Sequence, residues 1–306
     1  MANTETEKMD IKLSVVIAAV NGWKCLDECL ASLESDRHKY GAEIIVVERL
    51  GEKLAGQVRN KYLQTLVIEA GRDTTIPGLR SLGIKAAKGA IIAILEDHTN
   101  VDPAWYDELF KWHATGSYGV VGGAVENACL DRPLDWATFF CEYSAFMPPI
   151  EGGPDGDIPG NNTSYTRASL DLAGDLIDQG VWEGFLHARL KEKGVKFYCA
   201  PKMLVWHKKP FGFWEFMSQR YFLARSYAGM RVEGAPLAKR LFYTAASGIL
   251  PLLLGWRIGR RTLAKKRYTR EFWRSAPLLA LFLLSWSFGE FCGYLLGQGN
   301  STARVE

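Results

Sequence analysis

Residues 93–110 read AILEDHTNVDPAWYDELF and contain the most informative pattern in the chain. An apolar run ends in Glu96, Asp97 and His98, and a segment with helical spacing follows Pro103. Adjacent carboxylates repel each other unless a cation lies between them. The triplet is therefore either a metal site or a polar turn in which an aspartate caps the next helix. If the triplet extends a strand, residues 96 and 98 point one way and residue 97 points the other.

Apolar runs that alternate with helical segments surround this stretch. The alternation predicts an α/β fold with a parallel sheet. Ligands of such sheets bind beyond the carboxyl ends of the strands, so the position of the triplet favours a site over a polar turn. The predicted strands cover residues 13–19, 43–48, 65–70 and 90–95, and a predicted helix covers residues 78–88.

Composition sets the outer limits of the interpretation. The chain has 306 residues, of which 48% are hydrophobic, which is enough for one large α/β domain and an appendage. The formal net charge is only +3, so we expect no nucleic-acid partner. None of the six cysteines forms a CxxC pair, which favours a reduced, cytoplasmic setting. The N-terminal MANTETEKMDIK has no apolar core, so no signal peptide is predicted.

The chain changes character after Pro236. Residues 241–256 are apolar but short, whereas residues 276–297 reach the ~20 residues that a bilayer span needs. Residues 257–274, between them, contain eight Lys or Arg and one Glu. We therefore predict a membrane-associated tail, with core or dimer helices of a soluble protein as the alternative.

The basic segment also predicts a topology for this tail. Positively charged loops stay in the cytoplasm, and the domain before the tail is expected there too, so both ends of residues 241–256 lie on one side of the membrane. That segment is then re-entrant or interfacial, with a bend at Pro251. Residues 276–297 either span the bilayer or lie in its interface. Glu290 within them is costly in lipid and predicts a partner or an interfacial depth.

Seven stretches of the chain, from residue 13 to residue 231, follow one another in a familiar order. They are LSVVIAAVNGWKCLDECLASL, EIIVVERLGE, IPGLRSLGIKAAKG, AILEDHTNVDPAWYDEL, PGNNTSYTRASL, VWEGFLHARLKEKGVKFYCAP, and WHKKP with SQRYFLARSYAGMR. Together they resemble glycosyltransferase family 2. The resemblance implies a GT-A domain, Rossmann-like with a mostly parallel sheet, at residues 1–235. The membrane-associated helical tail then covers residues 236–306.

The resemblance also implies a metal site. Glu96, Asp97 and His98 stand where the family has its D-x-D element, with Glu96 and His98 in place of the two aspartates. A divalent cation there acts as a Lewis acid on the leaving diphosphate. Oxygen ligands suit Mg²⁺ or Mn²⁺, and Mn²⁺ accepts imidazole better. His207 in VWHKKP is either a further ligand or a packed histidine.

Donor-binding residues follow from the same resemblance. Glu48 is expected to bind the nucleoside, or else it is an exposed carboxylate at a strand end. Arg80 is expected to bind the nucleotide or its phosphates, or else it is a solvated helix residue. Gln219 and Arg220 either border the diphosphate or acceptor or face lipid headgroups. The full expected donor set is Ala19, Val20, Asn21, Glu48, Arg80, Glu96, Asp97, Gln219 and Arg220.

Glu183 is the candidate catalytic base, because it matches the second position of the family's E-D pair. Its alternative is a helix N-terminal glutamate favoured by the helix dipole. Trp182 replaces the first acid of that pair. Asn161, Asn162 and Trp182 are expected to contact the donor or acceptor sugar, although asparagines also form turns without any ligand.

The expected function is inverting transfer of a sugar from a nucleotide-sugar donor, with UDP as the expected nucleotide, to a hydroxyl of a lipid-linked or glycan acceptor. This reaction would serve polysaccharide or glycolipid assembly at the cytoplasmic face of the cell membrane. Homo-oligomer formation stays open. The alternatives are a synthase of polyprenyl-phosphate sugars and an inactive GT-A scaffold in a membrane complex.

Overall fold

A computed structural model describes residues 11–305. Residues 1–10, in the stretch where no signal peptide is predicted, and residue 306 lie outside the described residues. Within the described range, nine strands form one mixed sheet. They are β1 (Leu13–Ala19), β2 (Ala42–Glu48), β3 (Leu66–Glu69), β4 (Ile91–Glu96), β5 (Thr99–Val101), β6 (Val120–Asn127), β7 (Gly153–Pro154), β8 (Asn162–Thr166) and β9 (Phe197–His207).

Helices cover both faces of this sheet and continue beyond it. The described residues form twelve α-helices and one 3₁₀ helix, Ser301–Arg304. The α-helices are α1 (Trp23–Glu34), α2 (Glu52–Lys61), α3 (Ile76–Ala86), α4 (Trp105–His113), α5 (Pro133–Tyr143), α6 (Arg167–Asp171), α7 (Leu176–Gln179), α8 (Glu183–Glu192), α9 (Phe213–Arg231), α10 (Leu237–Ser247), α11 (Leu250–Ala264) and α12 (Thr269–Leu296).

The strand order is β3-β2-β1-β4-β8-β6-β9-β5, with β7 paired to β9. Strands β1 to β4 run parallel to one another, as the alternation of apolar runs predicts. Strand β8 pairs antiparallel with both β4 and β6. Strand β9 runs parallel to β6 and antiparallel to β5. The sheet is therefore parallel in its first half and mixed in its second.

Strand β1 shows why these apolar runs become central strands. Its residues alternate between two hydrophobic clusters, because successive side chains point to opposite faces. Val15 and Ile17 pack with residues of α1 and α2, whereas Val16 packs with Leu79 of α3. A strand buried on both faces is continuously apolar, as this sequence is.

The site of interest follows from the position of β1 in the sheet. Strand β1 lies between β2 and β4, so the chain connections turn in opposite directions on its two sides. The register pairs Ala18 with Glu96 and Ala19 with Glu48. The carboxyl ends of three strands thus meet at a topological switch point, where open α/β sheets bind ligands.

Some local predictions differ from the structure. The short strand β5 lies between the acidic triplet and α4, because it pairs with the end of β9. Strand β9 runs without interruption through Pro201. Residues 148–162, which are rich in glycine and proline, contain the two-residue strand β7 and end at the start of β8.

The tail helices pack onto the rest of the protein through α12. Added Cβ atoms on Gly289 and Gly293 would lie 2.3 Å from the Tyr221 carbonyl oxygen and 2.5 Å from the Arg225 carbonyl oxygen. These glycines therefore let α12 approach the backbone of α9 closely. Phe282 of α12 also contacts Phe216 of α9 edge to face, with ring centroids 4.7 Å apart.

Helix α12 is long and apolar enough to cross a membrane, although half of its most apolar window is buried inside the protein. Core helices of soluble proteins meet the same criterion. Helices α10 and α11 meet at a bend of 58°. Taken together, they are long and apolar enough to form one broken membrane span or a re-entrant pair. Pro251 lies in the first turn of α11. The membrane association of the tail and the domain boundary at residues 235/236 both stay predictions.

Candidate active site

A cavity of 520 Å³ opens at the carboxyl ends of β1 and β4. Its volume lies within the roughly 300–1,000 Å³ that is usual for small-molecule sites. The cavity wall includes the predicted site residues Asn21, Arg80, Glu96, His98 and Glu183. Side chains of α11 and α12 line the same cavity, so the tail contributes to the site.

Glu96, His98 and His207 bring three candidate metal-ligand atoms within 4.8 Å of one another. The antiparallel pairing of Thr99 with His207 explains this, because it places the end of β9 next to the triplet. The Nε2 atom of His98 lies 3.3 Å from Oε2 of Glu96. The Nε2 atom of His207 is buried and has no hydrogen-bond partner among the described residues. A buried, unpartnered imidazole nitrogen beside a carboxylate fits a metal ligand, and the mixed nitrogen and oxygen set suits Mn²⁺.

Asp97 is fully buried and lies outside this group of three. Its Oδ2 accepts hydrogen bonds from the backbone N–H groups of Val20 and Asn21, each at 2.7 Å. Its Oδ1 accepts from Nδ2 of Asn21 at 2.7 Å and lies 3.0 Å from Nδ1 of His98. The predicted strand alternation does not extend through the triplet, because β4 ends at Glu96 and residues 97–98 form a turn in which Asp97 contacts His98. Asp97 lines the cavity as well, and its carboxylate holds the end of β1 and contacts the His98 ring; its predicted ligand role stays a prediction.

The surroundings of the group shift the pKa values of its two histidines in opposite directions. Burial disfavours a charged His98, yet hydrogen bonds and charges from Asp97 and Glu96 raise the pKa of His98 to about 9. Burial also disfavours ionised Glu96, but the hydrogen bond and charge of His98, together with Arg80, hold the pKa of Glu96 well below its usual value. Burial and the nearby charge of His98 lower the pKa of His207 to about 3. His207 is thus neutral, while His98 must release a proton when it binds a metal.

Arg80 joins the candidate base to the candidate metal group. Its Nη1 lies 2.7 Å from Oε2 of Glu183, and its Nη2 lies 3.4 Å from Oε1 of Glu96. Glu183 is the first residue of α8. A Cβ added to Gly160 would lie 2.1 Å from Oε1 of Glu183, so a glycine is needed to leave room for this carboxylate. The buried guanidinium therefore fixes the position of Glu183 in the cavity wall.

The two adjacent asparagines have different environments. Asn162 is fully buried, accepts from Nε1 of Trp105 at 2.9 Å, and donates to the carbonyl oxygens of Ala124 and Met203. Asn161 is 3% exposed and lines the cavity, and neither of its amide atoms has a hydrogen-bond partner within the described part of the chain. The structure thus corrects the ligand contact predicted for Asn162, whose side chain holds the fold, and leaves Asn161 free for a ligand.

Trp182, Gln219 and Arg220 all line the cavity, as the predicted contacts require. The Nε1 atom of Trp182 donates to Oγ of Ser226 at 2.9 Å. Arg220 is buried in an ion pair with Glu142. This pairing places Arg220 inside the protein, so its alternative role facing lipid headgroups does not fit.

Ala19 and Glu48 are fully buried and do not line the cavity among the described residues. Oε2 of Glu48 accepts hydrogen bonds from the N–H groups of Leu50 at 2.6 Å and Gly51 at 2.8 Å. Oε1 of Glu48 has no hydrogen-bond partner in the described range. The carboxylate is turned toward the backbone that starts α2. Neither residue lines the described cavity, and the donor contact predicted for these two residues stays a prediction.

Several cavity residues were not identified from the sequence. The hydroxyl of Tyr143 donates to Oε2 of Glu96 at 3.2 Å, next to the Glu142 that pairs with Arg220. Glu142 and Tyr143 are the last two residues of α5, whose apolar sequence resembles that of an ordinary core helix. The one available signal was an acidic residue, Glu142, within that apolar helix.

Comparison with known proteins assigns the chain to a family. The sequence profile of glycosyl transferase family 2 matches residues 14–170, about half of the chain. No curated protein matches the chain in sequence.

Solved structures give the fold. A mannosyltransferase, PcManGT from Pyrobaculum calidifontis in complex with GDP-Man and Mn²⁺, has a TM-score of 0.55 at 15% identity, covering 93% of this chain and 90% of its own. GalNAc-T7 with UDP, GalNAc and Mn²⁺ has a TM-score of 0.50 at 19% identity, covering 66% of this chain. This chain spans only 44% of the length of GalNAc-T7. S. aureus TarS, residues 1–349, is also similar, with a TM-score of 0.48, 15% identity, and coverage of 92% and 91%. The chain belongs to glycosyltransferase family 2 and has a GT-A fold.

Proposed function

We propose that the protein transfers a sugar from a UDP-linked donor to a hydroxyl of a membrane-proximal acceptor, with inversion at the anomeric carbon. One observation carries this proposal. Glu96 and His98 line the same cavity as the Arg80–Glu183 pair, and His207 is buried next to them with its candidate ligand atom within 4.8 Å of theirs. Such an arrangement offers a diphosphate site and a carboxylate base side by side. It supports an active enzyme over an inactive scaffold.

The metal would be held by Glu96, His98 and His207. A bound Mn²⁺ would stabilise the negative charge that develops on the leaving diphosphate. Mn²⁺ is preferred over Mg²⁺ here because two of the three candidate ligands are imidazoles. The PcManGT and GalNAc-T7 structures were both solved with Mn²⁺, which supports the same choice.

Glu183 would act as the base. Its carboxylate accepts the proton of the acceptor hydroxyl as that oxygen bonds to the anomeric carbon. The bond from the anomeric carbon to the phosphate oxygen breaks, and its electron pair leaves with the diphosphate. Arg80 keeps the Glu183 carboxylate in position through the 2.7 Å contact. Because attack and departure occur on opposite sides of the carbon, the configuration inverts.

Asn161 would bind a sugar hydroxyl. Its side-chain oxygen and nitrogen are both buried in the cavity wall and lack hydrogen-bond partners among the described residues. A buried amide left without partners costs about 1–3 kcal/mol, so a bound ligand that satisfies it gains affinity. Asn161 is adjacent to Gly160, which lies against Glu183.

The acceptor would come from the membrane surface. The cavity is lined by Leu254 and Ile258 of α11 and by Leu283 of α12, which gives it an apolar end. The outer sides of the tail also expose large apolar residues, among them Leu252, Trp256, Trp273, Phe288 and Leu296. Arg257, Arg260, Arg270 and Arg274 are exposed nearby and suit anionic headgroups. This supports a lipid-linked acceptor at the cytoplasmic face of the cell membrane.

Contacts within the tail support an interfacial or re-entrant arrangement. Glu290 accepts hydrogen bonds from Nε1 of Trp286 at 2.8 Å and from the hydroxyl of Tyr294 at 2.7 Å. Arg231 lies 3.7 Å from the same carboxylate. These partners reduce the cost of placing a carboxylate near lipid. The 58° bend between α10 and α11 fits a pair that enters and leaves on one side.

A phosphate acceptor, as in the synthesis of a polyprenyl-phosphate sugar, is the second candidate. Arg257 lines the cavity and forms no ion pair within residues 11–305. Arg261 lines it too, and its nearest carboxylate, Asp157, is 3.9 Å away. Two weakly paired arginines at the apolar end of the cavity suit the phosphate of a lipid. A phosphate acceptor needs no strong base, so a Glu183→Gln enzyme that keeps its activity would favour this second candidate.

Calorimetric titration of UDP and GDP into the detergent-solubilised protein, with and without Mn²⁺, tests the donor site. We expect UDP binding that requires Mn²⁺ and is lost in His98→Ala. His38→Ala is the matched control, because His38 is exposed and lies away from the cavity. Failure to bind either nucleotide under any condition would contradict the proposed function and favour the scaffold.

A further inference from the structure

The segment that follows α12 returns to the cavity. We name residues 297–305 the C-terminal strap. The strap begins where α12 ends, crosses α9 and contains the 3₁₀ helix Ser301–Arg304. Its last described residue, Val305, is 2% exposed and lines the cavity. The membrane-associated tail is thus joined directly to the wall of the candidate donor site.

Specific contacts hold the strap on α9. The carbonyl oxygen of Gly297 accepts a hydrogen bond from Nε of Arg225 at 3.2 Å. The hydroxyls of Thr302 and Ser226 share a hydrogen bond of 2.6 Å. Ser226 also accepts from Nε1 of the cavity residue Trp182. This chain of contacts joins the strap to the residue that precedes the candidate base.

A second set of contacts places the end of the strap at the carboxyl ends of the first strands. Nη2 of Arg49 donates to the carbonyl oxygen of Val305 at 3.2 Å, and its Nη1 donates to that of Thr74 at 2.8 Å. Arg49 directly follows β2, and Thr74 lies just before α3. Val305 shares the cavity wall with Val20 and Asn21, which follow β1. This part of the wall lies at the switch point of the sheet, where a nucleotide binds.

We propose that the strap forms the outer wall of the nucleoside end of the donor site, with Val305 as a specificity-determining residue. The inference rests on the proposed use of a nucleotide-sugar donor. A cavity of 520 Å³ remains while the strap is docked, so the strap borders the site without filling it. The Val305 carbonyl is already bonded to Arg49, which leaves an apolar side chain to face the ligand. An apolar wall suits the face of a base or the carbon side of a ribose.

Nucleotide titrations on strap variants test this inference. UDP and GDP are titrated with saturating Mn²⁺ into wild type, Val305→Gly and Thr302→Val. We expect each variant to weaken binding of the nucleotide that wild type prefers by about tenfold, because apolar contact is lost or the wall is loosened. Discrimination between UDP and GDP should shrink in Val305→Gly.

Arg304→Ala is the matched control. Arg304 is exposed and lies over the ring of Phe222 at 4.4 Å, so it belongs to the strap and contacts no cavity residue that the argument uses. Its nucleotide affinity should equal that of wild type. Mn²⁺ titration without nucleotide and the thermal midpoint of unfolding show whether the metal group and the fold of each variant are intact.

Each outcome has a separate meaning. Unchanged nucleotide affinity in both folded variants would overturn the inference and leave the strap a packing element. Tighter binding would overturn it too, since the strap would then obstruct the site. A wild-type protein that binds no nucleotide would overturn the proposed function, and with it this inference. That result is distinguishable because it appears before any variant is compared.

Discussion

Strands β2 and β4 both end in a glutamate at the same edge of the sheet, and the two carboxylates have opposite surroundings. Glu96 at the end of β4 is in the cavity wall, within reach of Arg80, His98 and Tyr143. Glu48 at the end of β2 is fully buried and accepts hydrogen bonds from backbone N–H groups. Cations and a phenol surround the first carboxylate, and a loop encloses the second.

The comparison shows that sequence can indicate the edge of the sheet at which a ligand binds, but not which of the strands at that edge contacts the ligand. Both glutamates end a parallel strand, and the sequence predicts a donor contact for both. The difference arises because Arg80 and His207 reach Glu96 from distant parts of the chain. Leu50 and Gly51, by contrast, follow Glu48 by two and three residues and bond to one of its two carboxylate oxygens. Local backbone contacts thus fix the orientation of Glu48, whereas long-range contacts surround Glu96.

The largest expected effect comes from removing the carboxylate in the cavity. Glu96→Ala should lower kcat by about 10²- to 10³-fold, the usual loss when one group that stabilises the transition-state charge is removed. Steady-state transfer assays with the donor would measure it. Glu48→Ala is the paired variant, and its folded fraction should keep its Mn²⁺ affinity. Equal losses of Mn²⁺ affinity in both variants would remove the distinction between the two glutamates.

Asp97→Asn should weaken Mn²⁺ binding by about 10- to 100-fold, the usual effect of losing a group that orients a metal-bound histidine. The amide can still accept one backbone hydrogen bond but no longer balances the charge beside His98. Isothermal titration with Mn²⁺ measures this loss. Abolished binding, equal to that of His98→Ala, would indicate that Asp97 is itself a ligand.

The Mn²⁺ affinity should rise by about tenfold for each pH unit between pH 6 and 8. A metal binds the neutral imidazole, and the neighbouring carboxylates raise the pKa of His98 to about 9 in the metal-free protein. One proton is therefore released on binding throughout this range, and the slope should flatten above pH 9. His207 adds no slope, since burial and the charge of His98 lower the pKa of His207 to about 3.

Titrations in two buffers of different ionisation enthalpy would count the protons released. His98→Asn should show a flatter pH dependence together with weaker binding. A pH-independent affinity in the wild-type protein would mean that His98 is neutral before the metal binds.

The smallest effect on the site is expected from Glu48→Gln. The variant keeps one acceptor for the N–H groups of Leu50 and Gly51, but places an amide where a carboxylate was bonded. We expect a loss of about 1–3 kcal/mol in the free energy of unfolding, with unchanged nucleotide and Mn²⁺ affinities. Urea denaturation and calorimetry would measure these quantities. Weaker nucleotide binding would bring Glu48 back into the donor site.

Local features of the fold could be predicted because local sequence determines them. The runs of β1, β2 and β4 are continuously apolar, as strands buried on both faces must be. The charged triplet directly after the apolar run of β4 predicted a site at this strand end, and Glu96, Asp97 and His98 all line the cavity. The resemblance to family 2 ordered these elements, and the family match over residues 14–170 confirms it.

Long-range features of the site could not be predicted in the same way. His207 meets His98 because β9 pairs with β5, and no local pattern specifies that pairing. Asn161 and Asn162 are identical neighbours, yet only the folded protein shows that Asn162 bonds to Trp105 while Asn161 faces the cavity.

By itself, the sequence determined that this chain has a parallel α/β sheet with a charged triplet at a strand end, followed by an apolar and basic tail. Burial periodicity and turn residues act over a few positions, so they can be read along the chain. Only the tertiary structure decided which charged groups meet and that Val305 borders the same cavity as Val20. Those contacts join residues far apart in sequence, and they depend on strand pairing and helix packing across the whole molecule.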